Sequence, residues 1–186
     1  MQVVRSRRQL PFDPVEQAGR LWQERWQGAG TMVVATSIMR VQQLLLARIE
    51  DLLHPHGLTF ARYEALVLLT FSRRGSLPMS RMGERLMIHP TSVTNIVDRL
   101  DAQGFTKRVA HPSDRRTTLV EITPAGRRVA EKATEAVTGA DFGLAELSQE
   151  QLGSLYDVLR AIRAEAGDFP AVDERADWNT LFGTAR

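Results

Sequence analysis

At 186 residues and 43% hydrophobic, the chain is long enough for one domain with additional helices, and its lack of cysteine bars disulfides, thiol catalysis and cysteine-held zinc. No apolar run reaches the roughly 18 residues of a membrane span, and the N-terminal MQVVRSRRQLPF is basic without the apolar core of a secretory signal. The net charge of +2 is unevenly spread: residues 1–79 hold 10 Lys/Arg against 6 Asp/Glu, residues 80–128 hold 9 against 5, and residues 129–186 hold 5 against 11. A basic front and an acidic rear suggest a polyanion partner, although charge alone does not separate that from an ordinary solvated surface.

Asp13-Pro14-Val15-Glu16 reads as a helix start, with Asp at the N-cap, Pro at the first helical position and Glu at the third; this helix is expected to end at Gly28-Ala29-Gly30. A long helix is expected from about Met32 to His54. Its apolar residues Met32, Ala35, Met39, Leu46, Ile49 and Leu53 recur at helical spacing, and Gly57 suits its C-terminal cap. Thr59 caps the next helix, in which Tyr63, Leu66, Val67 and Thr70 share a face. Leu77-Pro78-Met79 allows one short strand. Ser80 is expected to cap a brief helix, Arg81 to Met87, with Met82, Leu86 and Met87 on its apolar side. Pro90 opens the following helix, which buries Val93, Ile96, Val97 and Leu100 and stops at Gly104.

Phe105 to Ala110 and Thr117 to Thr123 alternate as strands around a turn at 111–116. Thr123-Pro124 opens a helix to about Thr138, and Ser148 with Gln151 forms a capping box for a last helix to about Ala166. In these last two helices Val129, Ala133, Ala136, Ala140, Leu144 and Leu147, then Leu152, Leu155, Leu159, Ile162 and Ala166, recur at three- and four-residue steps. Such seams, with a third on the helix from residue 32, suit burial against a second copy of the chain.

The brief helix, tight turn and second helix make a helix-turn-helix. With Val93, Ile96, Val97 and Leu100 inward, the second helix turns Thr91, Ser92, Thr94, Asn95, Asp98 and Arg99 outward. Small hydroxyls and an amide near a helix N-terminus suit phosphate and base-edge contacts in a major groove. Arg115 and Arg116 at the tip of the hairpin suit a narrow, electronegative minor groove, with Asp114 holding an arginine in place. Ser80 and Pro90 complete the candidate DNA contacts.

Over SVTNIVDRLDAQGFTKRVAHPSDRRTTLVEITPAGRRV the sequence resembles the MarR-type transcriptional regulators, and the pattern extends from about residue 31 to 166. The resemblance implies a mainly α winged helix-turn-helix with a small β-hairpin wing and a helical dimerisation region, its recognition helix at about 90–103 and its wing at 111–116. It implies a cytoplasmic homodimer on pseudo-palindromic double-stranded DNA, typically a repressor released by a small anionic or aromatic ligand. The helix before residue 31 looks like the addition found in urate- and metabolite-responsive members. The expected organisation is a flexible basic arm over 1–12, a single domain over 13–166 and a tail over 167–186. Within the domain, dimerisation helices lie at about 13–56 and 124–166, and the winged helix at about 59–123.

Trp22 and Trp26 share one helical face and are candidates for lining an effector pocket, with Arg25, Arg40, Arg48 and Arg62 as candidate anion partners and Arg20 near them; ordinary packing explains the tryptophans as well. His54, His56, His89 and His111 show no metal-ligand spacing. Asp98 with Asp101, and Glu50 with Asp51, read as solvated rather than catalytic pairs. No phosphate loop, dinucleotide fingerprint or nucleophile elbow occurs, so no cofactor and no enzymatic activity is expected. The remaining alternative is a winged helix that docks protein in place of DNA. Salt-dependent duplex binding separates the two, because phosphate contacts release counterions.

Overall fold

The computed structural model describes residues 10–114 and 117–169. Most of the basic arm and the tail, together with Arg115 and Arg116, lie outside the described residues. The chain divides into two compact units, one ending at Gly139 and the other starting at Ala140.

In the first unit, α1 (Pro14–Trp26) starts where Asp13 accepts the Val15 N–H at 2.8 Å. It ends at Gln27 and Gly28, both at positive φ (63° and 65°), and α2 (Ala29–Leu53) begins at once, three residues earlier than the apolar pattern suggests. The early start is explained by Gln23, whose Oε1 accepts the Ala29 N–H at 3.0 Å and caps α2 from the preceding helix. The two helices touch at Gly19, where a Cβ would lie 2.5 Å from Val33 Cγ2. Close backbone approach therefore docks α1. The indoles do not: Trp22 and Trp26 stay 38% and 63% exposed and pack edge-to-face on one another at 4.9 Å.

By length and composition α2, with the 3-10 turn His54–His56 after it, matches a membrane span, contrary to the expectation from uninterrupted apolar runs. Its last turns are core: Ile49 and Leu53 are buried against α3 (Phe60–Phe71) and α6 (Pro124–Gly139). Thr59 caps α3 as expected, and Glu50 accepts the Phe60 N–H at 3.5 Å, giving that carboxylate a structural task. The buried Tyr63 hydroxyl meets Thr134 Oγ1 at 3.0 Å, tying α3 to α6 with no unsatisfied oxygen.

Three strands form one antiparallel sheet in the order β1 (Ser76–Pro78), β3 (Thr118–Ile122), β2 (Thr106–Ala110). Helices α4 (Met79–Leu86) and α5 (Pro90–Ala102) sit between β1 and β2 in sequence and pack on α3. Leu66, Leu69, Met82, Val93, Val97, Leu100, Val120 and Ala133 form the common core. The Thr-Pro-Ala-Gly segment closes the base of the sheet. Thr123 Oγ1 donates to the Gly104 carbonyl at 2.8 Å and accepts the Gly126 N–H at 3.0 Å. A Cβ at Gly126 would lie 2.1 Å from the Phe105 carbonyl oxygen, so only glycine fits there.

One expected seam is interrupted. Helix α6 ends at Gly139, a 3-10 turn Asp141–Gly143 follows with Phe142 at φ 52°, and residues 140–147 do not continue the α6 stripe. Ala130, Ala133 and Val137 are buried in the first unit's own core, so α6 turns its apolar face inward. In the second unit, α7 (Gln149–Glu165) opens on the expected capping box, Ser148 Oγ accepting the Gln151 N–H at 3.2 Å and Gln151 Oε1 accepting the Ser148 N–H at 2.9 Å. None of its residues is buried.

Candidate nucleic-acid interface

Helix α4 stops because Met87 adopts the left-handed conformation (φ 54°) and the Ile88 N–H bonds back to the Gly83 carbonyl at 3.1 Å. Met87 is consequently swung outward, 66% exposed, and is not on the apolar side where periodicity put it. Nor does Ser80 cap α4. The helix starts at Met79 directly from β1, Pro78 holds the N-cap position, and Ser80 lies exposed in the first turn.

His89 is the N-cap of α5, with its Nδ1 accepting the Thr91 N–H at 3.3 Å and lying 3.1 Å from Thr91 Oγ1. Val93, Val97 and Leu100 are buried and Ile96 half-buried, as their spacing requires. Pro90, Thr91, Ser92, Thr94, Asn95 and Arg99 are all exposed. Thr94 Oγ1 donates to the Pro90 carbonyl at 3.2 Å. The outward face at the N-terminus of α5 is thus small, polar and without a carboxylate through its first two turns, the chemistry a helix needs to approach an acidic groove.

Asp98 is exposed on the same helix but has another task. Its Oδ1 pairs with Arg108 Nη2 on β2 at 2.6 Å, while Arg108 Nη1 lies 3.4 Å from Asp101 Oδ2. Asp101 also accepts the Thr106 hydroxyl. The two aspartates, which the sequence suggests are merely solvated, therefore clamp the wing strand to α5 through one arginine. Sequence reasoning misses Arg108 because a lone arginine in an alternating strand carries no local signal; the available signal is two carboxylates three residues apart facing the start of a strand. Lys107 and Glu121 make a further pair across the sheet at 2.8 Å.

At the described part of the wing, the Asp114 carboxylate accepts the Thr117 hydroxyl at 2.6 Å, and the His111 N–H bonds the Thr117 carbonyl at 3.2 Å. His111 Nδ1 accepts the Asp114 N–H at 3.1 Å and the Ser113 N–H at 3.3 Å, so the imidazole shapes the turn.

The candidate effector residues are not gathered in one place. Trp22, Arg25 and Trp26 line an open depression of about 670 Å³ on α1, and the Arg25 guanidinium sits 5.4 Å from the Trp26 ring. The other residues lining it are also on α1. Arg40 Nη1 donates to Gln43 Oε1 at 3.3 Å, and exposed Arg48 lies further along α2. Arg62 is occupied at the C-terminal end of α5, donating to Thr59 Oγ1 at 3.2 Å and to Gln103 Oε1 at 3.1 Å.

A family model described as MarR family matches residues 61–118, the span from α3 through the wing. Sco5413, a MarR family transcriptional regulator from Streptomyces coelicolor, is 52% identical, with a TM-score of 0.71 over 76% of this chain and 99% of that one. The organic hydroperoxide resistance transcriptional regulator of Bacillus subtilis (strain 168) is 32% identical over 110 residues, 59% of this chain and 73% of its relative. The chain belongs to the MarR family. It is a transcriptional regulator and not an enzyme. Sco3205, a further MarR family regulator from Streptomyces coelicolor, solved in complex with DNA, is 26% identical, with a TM-score of 0.68 over 77% of this chain and 91% of that one.

Proposed function

We propose that this MarR regulator is a cytoplasmic homodimer that binds a pseudo-palindromic operator through α5 and the wing, represses transcription there, and is released by a small anionic or aromatic effector. The observation that carries the DNA reading is the face formed by Thr91, Ser92, Thr94 and Asn95, exposed while Val93 and Val97 behind it are buried. The DNA complex of Sco3205 supports it. One such helix spans few base pairs, and two copies about 34–36 Å apart would meet successive major grooves. The dimer reading is supported by Leu155, Val158 and Ile162 along α7 and by Val34, Ile38 and Val41 along α2, all exposed apolar residues at helical spacing. Ser80 and Arg99 extend the candidate contact face, and Asp114, whose carboxylate accepts the Thr117 hydroxyl, joins Arg115 and Arg116 as the candidate wing contacts.

The effector reading rests on the exposed Trp22–Trp26 pair with Arg25 beside it. Arg40 and Arg48 are the further candidate partners for an anion. An effector frees DNA only if it binds the DNA-fitting and misfitting arrangements with different affinity.

The test is binding of the dimer to DNA upstream of its own gene at several salt concentrations, with and without aromatic carboxylates. Binding should weaken with salt. Arg115→Ala or Arg116→Ala should each reduce the slope of log K against log salt by about 0.9 for every phosphate the variant no longer neutralises. Tryptophan fluorescence should change in step with release. Binding that is indifferent to salt and sequence would favour the protein-docking alternative.

A further inference from the structure

Gln103, the C-cap of α5, uses both ends of its carboxamide to hold the far end of the recognition helix. Its Nε2 donates to the Gly57 carbonyl at 2.9 Å, and its Oε1 accepts from Arg62 Nη1 at 3.1 Å. Gly57 terminates the tight turn after α2 in the left-handed conformation, φ 71°, and its N–H returns to the His54 carbonyl at 2.9 Å. Arg62 is steadied in turn by Thr59, the N-cap of α3. The carboxamide thus joins the end of α5 to the junction between α2 and α3. A carboxylate lacks the donor for Gly57, and asparagine is one methylene shorter than the side chain that reaches both partners.

We propose that Gln103 is a positioning residue that sets the angle of the recognition helix relative to α2, and so the spacing of the two recognition helices in the dimer. The proposal rests on the operator reading above. Helix α5 is held near its N-terminus by the turn from α4, along its exposed face by Arg108, and at its C-terminus by Gln103. The first two tie it to neighbours within the DNA-reading lobe. The Gln103 link adds a hydrogen-bonded tie from the end of α5 to the turn after α2, beside the packing of Ile49 and Leu53 on α3 and α6, and the other half of α2 carries the uncovered apolar residues suited to the second copy. Removing the link leaves the lobe folded and lets its angle vary. Operators with altered half-site spacing then lose their disadvantage.

The experiment uses the full chain and the duplex it selects from a random-sequence pool, compared with the same duplex carrying one extra base pair between the half-sites. Wild type should discriminate strongly between them. Gln103→Met, which removes both hydrogen bonds in each protomer, four in the dimer, should reduce that discrimination at least about fivefold. Gln103→Glu, which keeps the Arg62 partner but sets a carboxylate oxygen against the Gly57 carbonyl, should reduce the discrimination as well. Base preferences inside each half-site, and the salt slope of the uncharged Gln103→Met variant, should not move, because Gln103 lies at the opposite end of α5 from Thr91, Ser92, Thr94 and Asn95. Unchanged spacing discrimination in both variants, or a changed salt slope in Gln103→Met, overturns the positioning role. Failure of wild type itself to select any two-half-site sequence overturns the operator reading instead, so the two failures are distinct.

Discussion

In the winged-helix lobe Leu66, Leu69, Met82, Val97 and Leu100 lose all their exposure, whereas in the hairpin of α1 and the first half of α2, Val34, Met39 and Trp26 keep more than half of theirs. The local signals are equally good in both regions: Asp13, Gln23 and Thr59 all cap helices, and apolar residues recur at helical spacing throughout. The difference lies in what each apolar face meets. The lobe folds its faces onto one another within the chain. The hairpin packs α1 on α2 around the close approach at Gly19 and the Gln23 cap, and leaves a broad apolar surface open, as an element does when its natural cover is another molecule.

Charge placed on the two faces should break this contrast most visibly. Val97→Asp puts an unpaired carboxylate into a fully buried site and should cost ~3–5 kcal/mol or more, leaving the lobe unfolded by circular dichroism. Ile38→Asp, on an exposed position of α2, should leave the helical signal intact and convert the dimer to monomer in sedimentation velocity. If it unfolds the chain instead, the first half of α2 is covered from within. The smallest effect is expected for Trp26→Ala, within about 0.5 kcal/mol in thermal unfolding, as for other exposed positions. A destabilisation above about 2 kcal/mol that does not depend on protein concentration would show that the indole is covered within its own chain and would erase the distinction between the two regions.

Most of the fold is legible in the sequence because it is written in local chemistry. The caps at Asp13, Thr59 and Ser148, the proline at 90 and the alternation around the wing each fix an element through contacts within a few residues. What escapes depends on distant partners. Met87 looks like a core residue because helical spacing continues through it, yet the left-handed turn that ends α4 points it outward. The apparent dimer seam along α6 is partly the lobe's own core, a choice made by α2 and α3 and invisible in the periodicity of α6. At the candidate interface the outward set Thr91, Ser92, Thr94 and Asn95 follows from the inward one. The residues that position the helix, Arg108 and Gln103, pair with groups 7 to 46 positions away and carry no pattern of their own. Arg62 shows the same limit: it reads as a candidate for an anionic ligand and is held by Thr59 and Gln103.

The central claim is that the exposed N-terminal face of α5 reads base edges. Its most direct test is the ratio of affinities for the selected operator and a scrambled duplex, measured at fixed salt for wild type and Asn95→Ala. The account predicts that the ratio falls by about 1–3 kcal/mol, the worth of a side-chain amide on a base edge, while binding to the scrambled duplex and the melting temperature stay unchanged. An unchanged ratio, or equal weakening on both duplexes, would contradict it and leave Asn95 with no part in reading sequence.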